Sequence, residues 1–135
     1  MITEELDQLE YLIIGNILNN PEHLQNIAVT PEYFEDGGCY NLLEELLRLW
    51  SAKEPIILVE IAEKLGMSLE VLCDLSQHPA TKKLFIERVG KLRKAYLMRF
   101  NIRRHITGAI DALVEGTRPE YVAKALITNL TKELG

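Results

Sequence analysis

The sequence predicts an all-α fold, in which a globular head of about five to six short helices is followed by an antiparallel hairpin of long helices. Apolar residues recur at intervals of three and four along most of the chain. Prolines that follow an N-capping residue mark several helix starts, and no segment has the alternation of a strand. The 135 residues fit a single domain, 1–135, which we divide into a head, 1–80, and a hairpin, 81–135.

The first predicted helix has its apolar residues on one face. They lie at helical spacing, at Leu6, Leu9, Ile13 and Ile17. Asn20-Pro21 and Thr30-Pro31 are each typical of an N-cap followed by proline at the first helical position. Two further helix starts are therefore predicted at Pro21 and Pro31.

A central core helix is predicted after Gly37-Gly38, which we expect to break the chain. Its apolar stripe is widened by three more leucines, so the set is Tyr40, Leu43, Leu47 and Trp50 with Leu42, Leu46 and Leu49. Trp50 is interpreted as a core anchor. Two short helices, 58–65 and 68–75, are predicted to follow, with a break at Gly66.

The hairpin begins after Pro79, where Thr81 can start a new helix that no proline interrupts before about Glu115. Such a helix would be about 50 Å long, so we expect it to project from the head. Its apolar face changes along its length. We expect the first set to pack on the head; it consists of Phe85, Val89, Leu92 and Tyr96. We expect the second set to pack on the final helix; it consists of Met98, Ile102, Ile106, Ala109 and Leu113.

The final helix is predicted from a C-terminal Gly116 and a capping box at 117–120. Its stripe is Val122, Leu126 and Leu130, flanked by Ile127 and Leu134. Phe100, Ile110 and Ile127 would still need cover, which predicts a homodimer or a partner on the hairpin. The predicted apolar interface residues are Met98, Phe100, Ile102, Ile106, Ile110, Leu113, Val122, Leu126, Ile127 and Leu130.

The charge is unevenly distributed although the net charge is only −5. The segment 81–105 contains nine Lys or Arg residues and one acid, whereas the remainder contains six basic and nineteen acidic residues. The charged interface candidates are Lys91, Lys94, Arg103 and Arg104. The cations are expected to be solvated or paired with acids of a neighbouring head, and a nucleic-acid path remains the alternative.

No catalytic, cofactor or metal site is predicted. The sequence has no P-loop and no GxGxxG motif, and its three histidines, His23, His78 and His105, are scattered. Cys39 and Cys73 are interpreted as buried thiols, and the adjacent acids Glu44-Glu45 as solvated. The chain has no apolar run of membrane-spanning length and no signal peptide, which predicts a cytoplasmic protein without a membrane partner.

A helix-turn-helix DNA-binding transcriptional regulator is the alternative function. The segment 61–72 has a small residue, a glycine four positions later and an apolar residue six after that. Its second helix, however, carries Glu70 and Asp74, and no basic residue occurs from Ser68 to Ala80. Acids at those positions would repel phosphates, which favours an ordinary helical corner.

Several segments in order resemble the N-terminal domain of DnaB-type replicative DNA helicases. The segment 10–22 is similar to the family's opening "E-x-A-V-L-G-x-x-L-x-x-P" pattern, and 30–34 to its "P-E-D-F-Y" segment. The segment 40–55 is similar to its helix that ends in "P-I-D", and 58–62 to its "L-V-T-L-A". Ile57 stands where the family usually has an aspartate that caps the next helix, and 67–80 is shorter than usual.

The resemblance implies a non-catalytic module of protein interaction and oligomerisation. In this family the hairpins pair into dimers, and three dimers form a collar on the helicase ring. The collar binds the helicase-binding domain of primase and, in some systems, a helicase loader. ATP hydrolysis and DNA contact belong to an ATPase domain that this sequence lacks, so it is either a fragment of a helicase or a free-standing protein.

Overall fold

The computed structural model describes the backbone of residues 2–135 and the side chains of residues 8–135, so Leu6 of the predicted stripe lies outside the described side chains. Over the described range the fold is all-α, as the sequence predicts, with no strand. The α-helices are α1 (Ile2–Asn19), α2 (Gly37–Ala52), α3 (Leu58–Leu65), α4 (Leu69–Leu75), α5 (Lys82–Val114) and α6 (Pro119–Leu134). Two short 3-10 helices, Pro21–Gln25 and Pro31–Tyr33, connect α1 to α2.

The chain forms two compact units, Met1–Arg93 and Lys94–Gly135, so α5 contributes residues to both. The first unit extends beyond position 80 because the beginning of α5 belongs to its core. Phe85, Val89 and Leu92 are completely buried there, as the first apolar set of this helix predicts.

The core of the first unit is built mainly on α1 and α2. Ile13, Ile14 and Ile17 of α1 are fully buried. On α2 the buried apolar residues are Cys39, Leu42, Leu43, Leu46 and Leu49. The leucines predicted to widen the stripe are therefore its centre, and the prediction for Trp50 is wrong. Trp50 is only half-buried and lines a surface pocket with Lys53, Glu54 and Pro55, because it lies in the last turn of α2, two residues before the helix ends at Ala52.

The start of α2 also differs from the prediction. Gly37 and Gly38 are its first two residues and do not break the chain, because Asp36 caps the helix. The Asp36 carboxylate accepts a hydrogen bond of 3.0 Å from the backbone N–H of Cys39. An aspartate at the N-cap satisfies an N–H of the first turn, which offsets the low helix propensity of the two glycines.

Most of the predicted helix starts occur where the sequence places them. Asn20 and Thr30 are the N-caps of the two 3-10 helices, and the Asn20 side chain accepts from Glu22 N–H. Thr81 accepts from Leu84 N–H at the start of α5. At α3 the N-cap is Ile57, which makes no side-chain hydrogen bond, so this helix begins without the cap that an aspartate would supply.

The capping box predicted at 117–120 does not form. The N-cap of α6 is Arg118, directly before Pro119, and it makes no side-chain capping bond. Thr117 instead donates its backbone N–H to Ala112 O, while Gly116 has the positive φ of 95° that suits the end of a helix. Thr117 thus belongs to the termination of α5 and cannot also cap α6.

Candidate functional site

The second unit is an antiparallel pair made by the end of α5 and α6. Near the C-terminus of α6, the Glu133 carboxylate accepts a hydrogen bond of 3.2 Å from Asn101 Nδ2 and lies 3.1 Å from His105 Nε2. The hydrogen bond with His105 is the main cause that lowers the pKa of Glu133, and the hydrogen bond from Asn101 lowers it further. Ala112 and Val122 meet at the opposite end, where they line one cavity. The predicted antiparallel hairpin is therefore present in residues 94–135.

The residues of α5 that face α6 follow a spacing of four and three. Met98, Ile102 and Ala109 are half-buried, as predicted. The prediction for Ile106 and Leu113 is wrong, because both are exposed and His105 and Ala112 take their places. Helices packed at a shallow angle keep contact at an average of 3.5 residues, so the contact stripe drifts from the 3.6-residue repeat.

An apolar face remains exposed on the hairpin, which we call the hairpin apolar face. On α5 it consists of Ile106 (43% exposed), Ile110 (55%) and Leu113 (48%), spaced by four and three. On α6 it contains Ile127 (65%) and Leu134 (77%), two turns apart. On both helices, each of these residues directly follows a residue that packs between the two helices. In an antiparallel pair of right-handed helices, positions one residue after the contact positions point to the same side of the pair, so both sets lie on one side of the hairpin.

The opposite side of the hairpin has a different character. A cavity of about 240 Å³ opens between the helices there and includes Gly108 and Ala125, with Arg104 and Asn129 at its edge. The small residues leave this space between the helices. The hairpin apolar face thus lies on one side of the hairpin, and this cavity with its small and polar residues lies on the other.

The remaining predicted interface residues divide into three groups. Val122 is buried inside the hairpin, and Leu126 and Leu130 are half-buried with it, so these three stabilise the helix pair itself. Phe100 is half exposed and stacks on Tyr96, with ring centroids 6.3 Å apart. The charged candidates are all exposed, namely Lys91, Lys94, Arg103 and Arg104.

A charged cluster in the first unit is not predicted by the sequence. Glu45 is not solvated but 7% exposed, and Arg48 Nε and Lys64 Nζ lie 2.7 and 2.9 Å from its carboxylate oxygens. The hydrogen bonds from Arg48 and then Lys64 lower the pKa of Glu45 to about 2. Arg48 at i+3 was a usable signal in the sequence, whereas Lys64 lies on another helix.

The two cysteines differ from each other. Cys39 is buried as predicted, but the prediction is wrong for Cys73, which is exposed on α4. Leu72 takes the inward position of this short helix, so its neighbour Cys73 points away from the core.

The predicted helical corner occurs at α3 and α4, with Gly66 in the left-handed region at φ 65°. The exposed side chains of the second helix include Leu69, Glu70, Val71 and Asp74. An acidic and apolar surface repels phosphates, so this corner offers no support for a DNA-binding regulator.

Neither a metal cluster nor a membrane span is found in the part of the chain that the structure describes. No three His, Cys, Asp or Glu residues there are grouped so as to hold a metal ion. None of the helices in residues 2–135 has both the length and the apolarity that crossing a membrane requires.

The fold is similar to that of a solved protein. No family model and no curated protein matches the chain. Its structure aligns with one described as a DnaB-like replicative helicase and its interactions with primase, with a TM-score of 0.64 and 18% sequence identity over 92% of this chain. The chain spans 31% of the length of that helicase chain. The resemblance predicted from the sequence is confirmed at the level of the fold.

Proposed function

We propose that this chain is the non-catalytic N-terminal interaction and oligomerisation domain of a replicative DNA helicase, or a free-standing equivalent of it. Two independent features support the proposal. The fold is similar to part of a DnaB-like replicative helicase, and segments from 10 to 62 resemble that family's N-terminal domain in the same order. ATP hydrolysis would then reside in a separate domain, since this sequence has no P-loop.

The hairpin apolar face is the observation that carries the proposal. Its five large aliphatic side chains are each at least 43% exposed, and they come from both helices of the hairpin. Several large aliphatic side chains exposed on one side of a helix pair are typical of a protein interface. A two-fold pairing of hairpins would cover the face of each copy with the same face of the other.

In a complete helicase, the paired hairpins would form a collar of three dimers. The hairpin would also contribute to the docking of the helicase-binding domain of primase, or of a helicase loader. The solved helicase to which this fold is similar is described together with its interactions with primase, which favours primase as the partner to test first.

Self-association of the chain is tested by Ile110→Glu. This side chain is 55% exposed in one copy, so the change should leave the fold of the monomer intact. In a two-fold dimer the substitution places two unpaired carboxylates in the interface, and we expect the dissociation constant to rise about tenfold or more. Sedimentation equilibrium over micromolar to several hundred micromolar protein measures it.

Val59→Glu is the matched control, because Val59 is similarly exposed (51%) but lies on α3 in the first unit. It should leave the association unchanged. A wild-type chain that stays monomeric at hundreds of micromolar, or an equal effect of the two substitutions, would contradict pairing through the hairpin.

A further inference from the structure

A second apolar surface lies on the first unit, between α1 and α4. A cavity of about 270 Å³ opens there, which we call the α1–α4 groove, and its lining residues are Gln8, Tyr11, Leu12, Leu75 and His78. Val71 precedes Leu75 by one helical turn and is 45% exposed, so it extends the same apolar surface along α4. The groove is therefore an open apolar strip between two helices.

The walls of the α1–α4 groove are held at a fixed separation. Gly15 brings α1 so near to α4 that a Cβ at this position would lie 2.5 Å from Leu75 O. Asn16 Nδ2 donates to His78 O at 2.7 Å, and Asn19 Nδ2 donates to Ser76 O at 2.9 Å. A groove whose walls are already ordered loses little conformational entropy when it is filled.

The size of the groove favours protein side chains as its occupant. Small-molecule sites usually have volumes of about 300 to 1,000 Å³ and enclose most of the ligand. This groove is smaller and open, and it follows two helices. Such a groove suits one or two apolar side chains that project from a helix laid across it.

The charge around the groove is negative. On α4 Glu70 and Asp74 are exposed, and at the other wall Asp36 accepts a hydrogen bond of 3.0 Å from the Tyr11 hydroxyl. The bond from Cys39 N–H lowers the pKa of Asp36, which keeps it anionic. A cation, Arg88, also reaches this side of α1. Its guanidinium donates a hydrogen bond of 2.8 Å to Asn16 Oδ1.

We propose that the α1–α4 groove is a docking site for a helix of a partner protein that presents apolar side chains flanked by Lys or Arg. The apolar strip would receive the aliphatic or aromatic side chains, and the acids at both walls would pair with the flanking cations. The residues that line this site all lie outside the hairpin, so the test of the site is independent of the test of self-association proposed above.

The probe for this site is a helical model peptide of about 14 residues, with leucine at i, i+3, i+4 and i+7 positions and lysine elsewhere. It is titrated into the isotopically labelled chain, and binding is followed by NMR. We expect shifts in the resonances of Tyr11, Leu12 and Leu75, and none with a peptide in which glutamate replaces lysine. Shifts confined to the hairpin, or equal binding of both peptides, would overturn the proposal.

Two variants separate the charged from the apolar contribution. The double change Glu70→Lys and Asp74→Lys should weaken binding of the Leu/Lys peptide about tenfold, whereas Glu32→Lys with Glu44→Lys, at exposed positions elsewhere, should not. Val71→Asp should also weaken binding, although it adds negative charge. If Val71→Asp bound the Leu/Lys peptide more tightly, binding would depend on charge attraction alone and the proposed site would be wrong.

The same resonances distinguish other occupants. If Tyr11 and Leu75 shift when the unliganded chain is concentrated, the groove binds a second copy and the proposal is wrong. If single-stranded DNA shifts them, the groove is a nucleic-acid surface and the proposal is equally wrong. Absence of both effects, together with the peptide response, is the expected result.

Discussion

At the scale of single residues, Glu45 is a buried carboxylate whose negative charge is stabilised by Arg48 and Lys64. The hydrogen bond from Arg48 and then that from Lys64 lower its pKa to about 2, below the ordinary value of 4.5 for a glutamate. In the window between these values the unfolded chain binds more protons than the folded one, so stability rises with pH there. The contribution of Glu45 is present above about pH 5 and is lost as the pH falls toward 2.

Glu45→Gln should therefore lower the free energy of unfolding at pH 7 by about 1–2 kcal/mol, because it removes a charge that two cations contact. Urea denaturation at pH 7 and at pH 3 measures the difference, which should shrink at the lower pH. The neighbouring Glu44 is exposed, and Glu44→Gln is the control that should have little effect. A Glu45→Gln effect that is the same at both pH values would contradict this account.

At the scale of helices, the packing of α1 on α4 depends on the absence of a side chain at Gly15. An added Cβ would lie 2.5 Å from Leu75 O and 3.3 Å from His78 Cβ. A backbone oxygen cannot move aside as a flexible side chain can, so the two helices would have to separate. The pair is also linked by hydrogen bonds from Asn16 and Asn19 of α1 to the chain after Leu75.

Gly15→Ala is expected to destabilise the chain by about 1–3 kcal/mol, since the steric conflict exceeds the gain in helix propensity. Gly90→Ala is the matched control, because Gly90 also lies inside a helix but has nothing within 4 Å of an added Cβ. That variant should be as stable as the wild type, or more stable by up to about 1 kcal/mol. Thermal and urea unfolding of both variants measure the difference. Equal effects of the two changes would exclude close packing as the cause.

At the scale of the whole molecule, the two compact units have opposite net charges. Residues 1–93 contain eight basic and sixteen acidic residues, a net charge of −8. Residues 94–135 contain seven basic and four acidic residues, a net charge of +3. Contacts between the basic unit of one copy and the acidic unit of another would be attractive, and salt would screen them beyond about 8 Å at physiological ionic strength.

Changing Lys94, Arg103 and Arg104 together to Glu should therefore weaken self-association, or binding to a helicase or primase partner, and reduce its salt dependence. Sedimentation at several salt concentrations measures this effect. The control is the triple change of Lys53, Lys82 and Lys83 to Glu, which alters the net charge by the same amount as the change of Lys94, Arg103 and Arg104. Affinity for single-stranded DNA should be negligible at 150 mM salt before and after the change, so micromolar DNA binding that the change abolishes would instead identify a nucleic-acid surface.

The sequence by itself determined the fold class and most helix bounds of this protein, because these depend on local chemistry. Proline after a capping residue, apolar spacing and the Gly116 terminus act within a few residues of one another. These signals predict the helix starts at Pro21 and Pro31, the start of α5 near Thr81 and the hairpin. Several segments resemble, in the same order, those of a known domain. That resemblance predicted the fold, which the structural comparison confirms.

Tertiary structure alone decided which side chains are buried where two helix faces compete. Neighbouring positions on one helix differ by only 100°, so the sequence could not tell that Leu72 and not Cys73 is buried, or that His105 and not Ile106 faces α6. Glu45 became a buried ion pair only because α3 brings Lys64 to it. The two candidate surfaces likewise depend on which apolar residues the packing leaves uncovered, a property of several elements together that no local pattern contains.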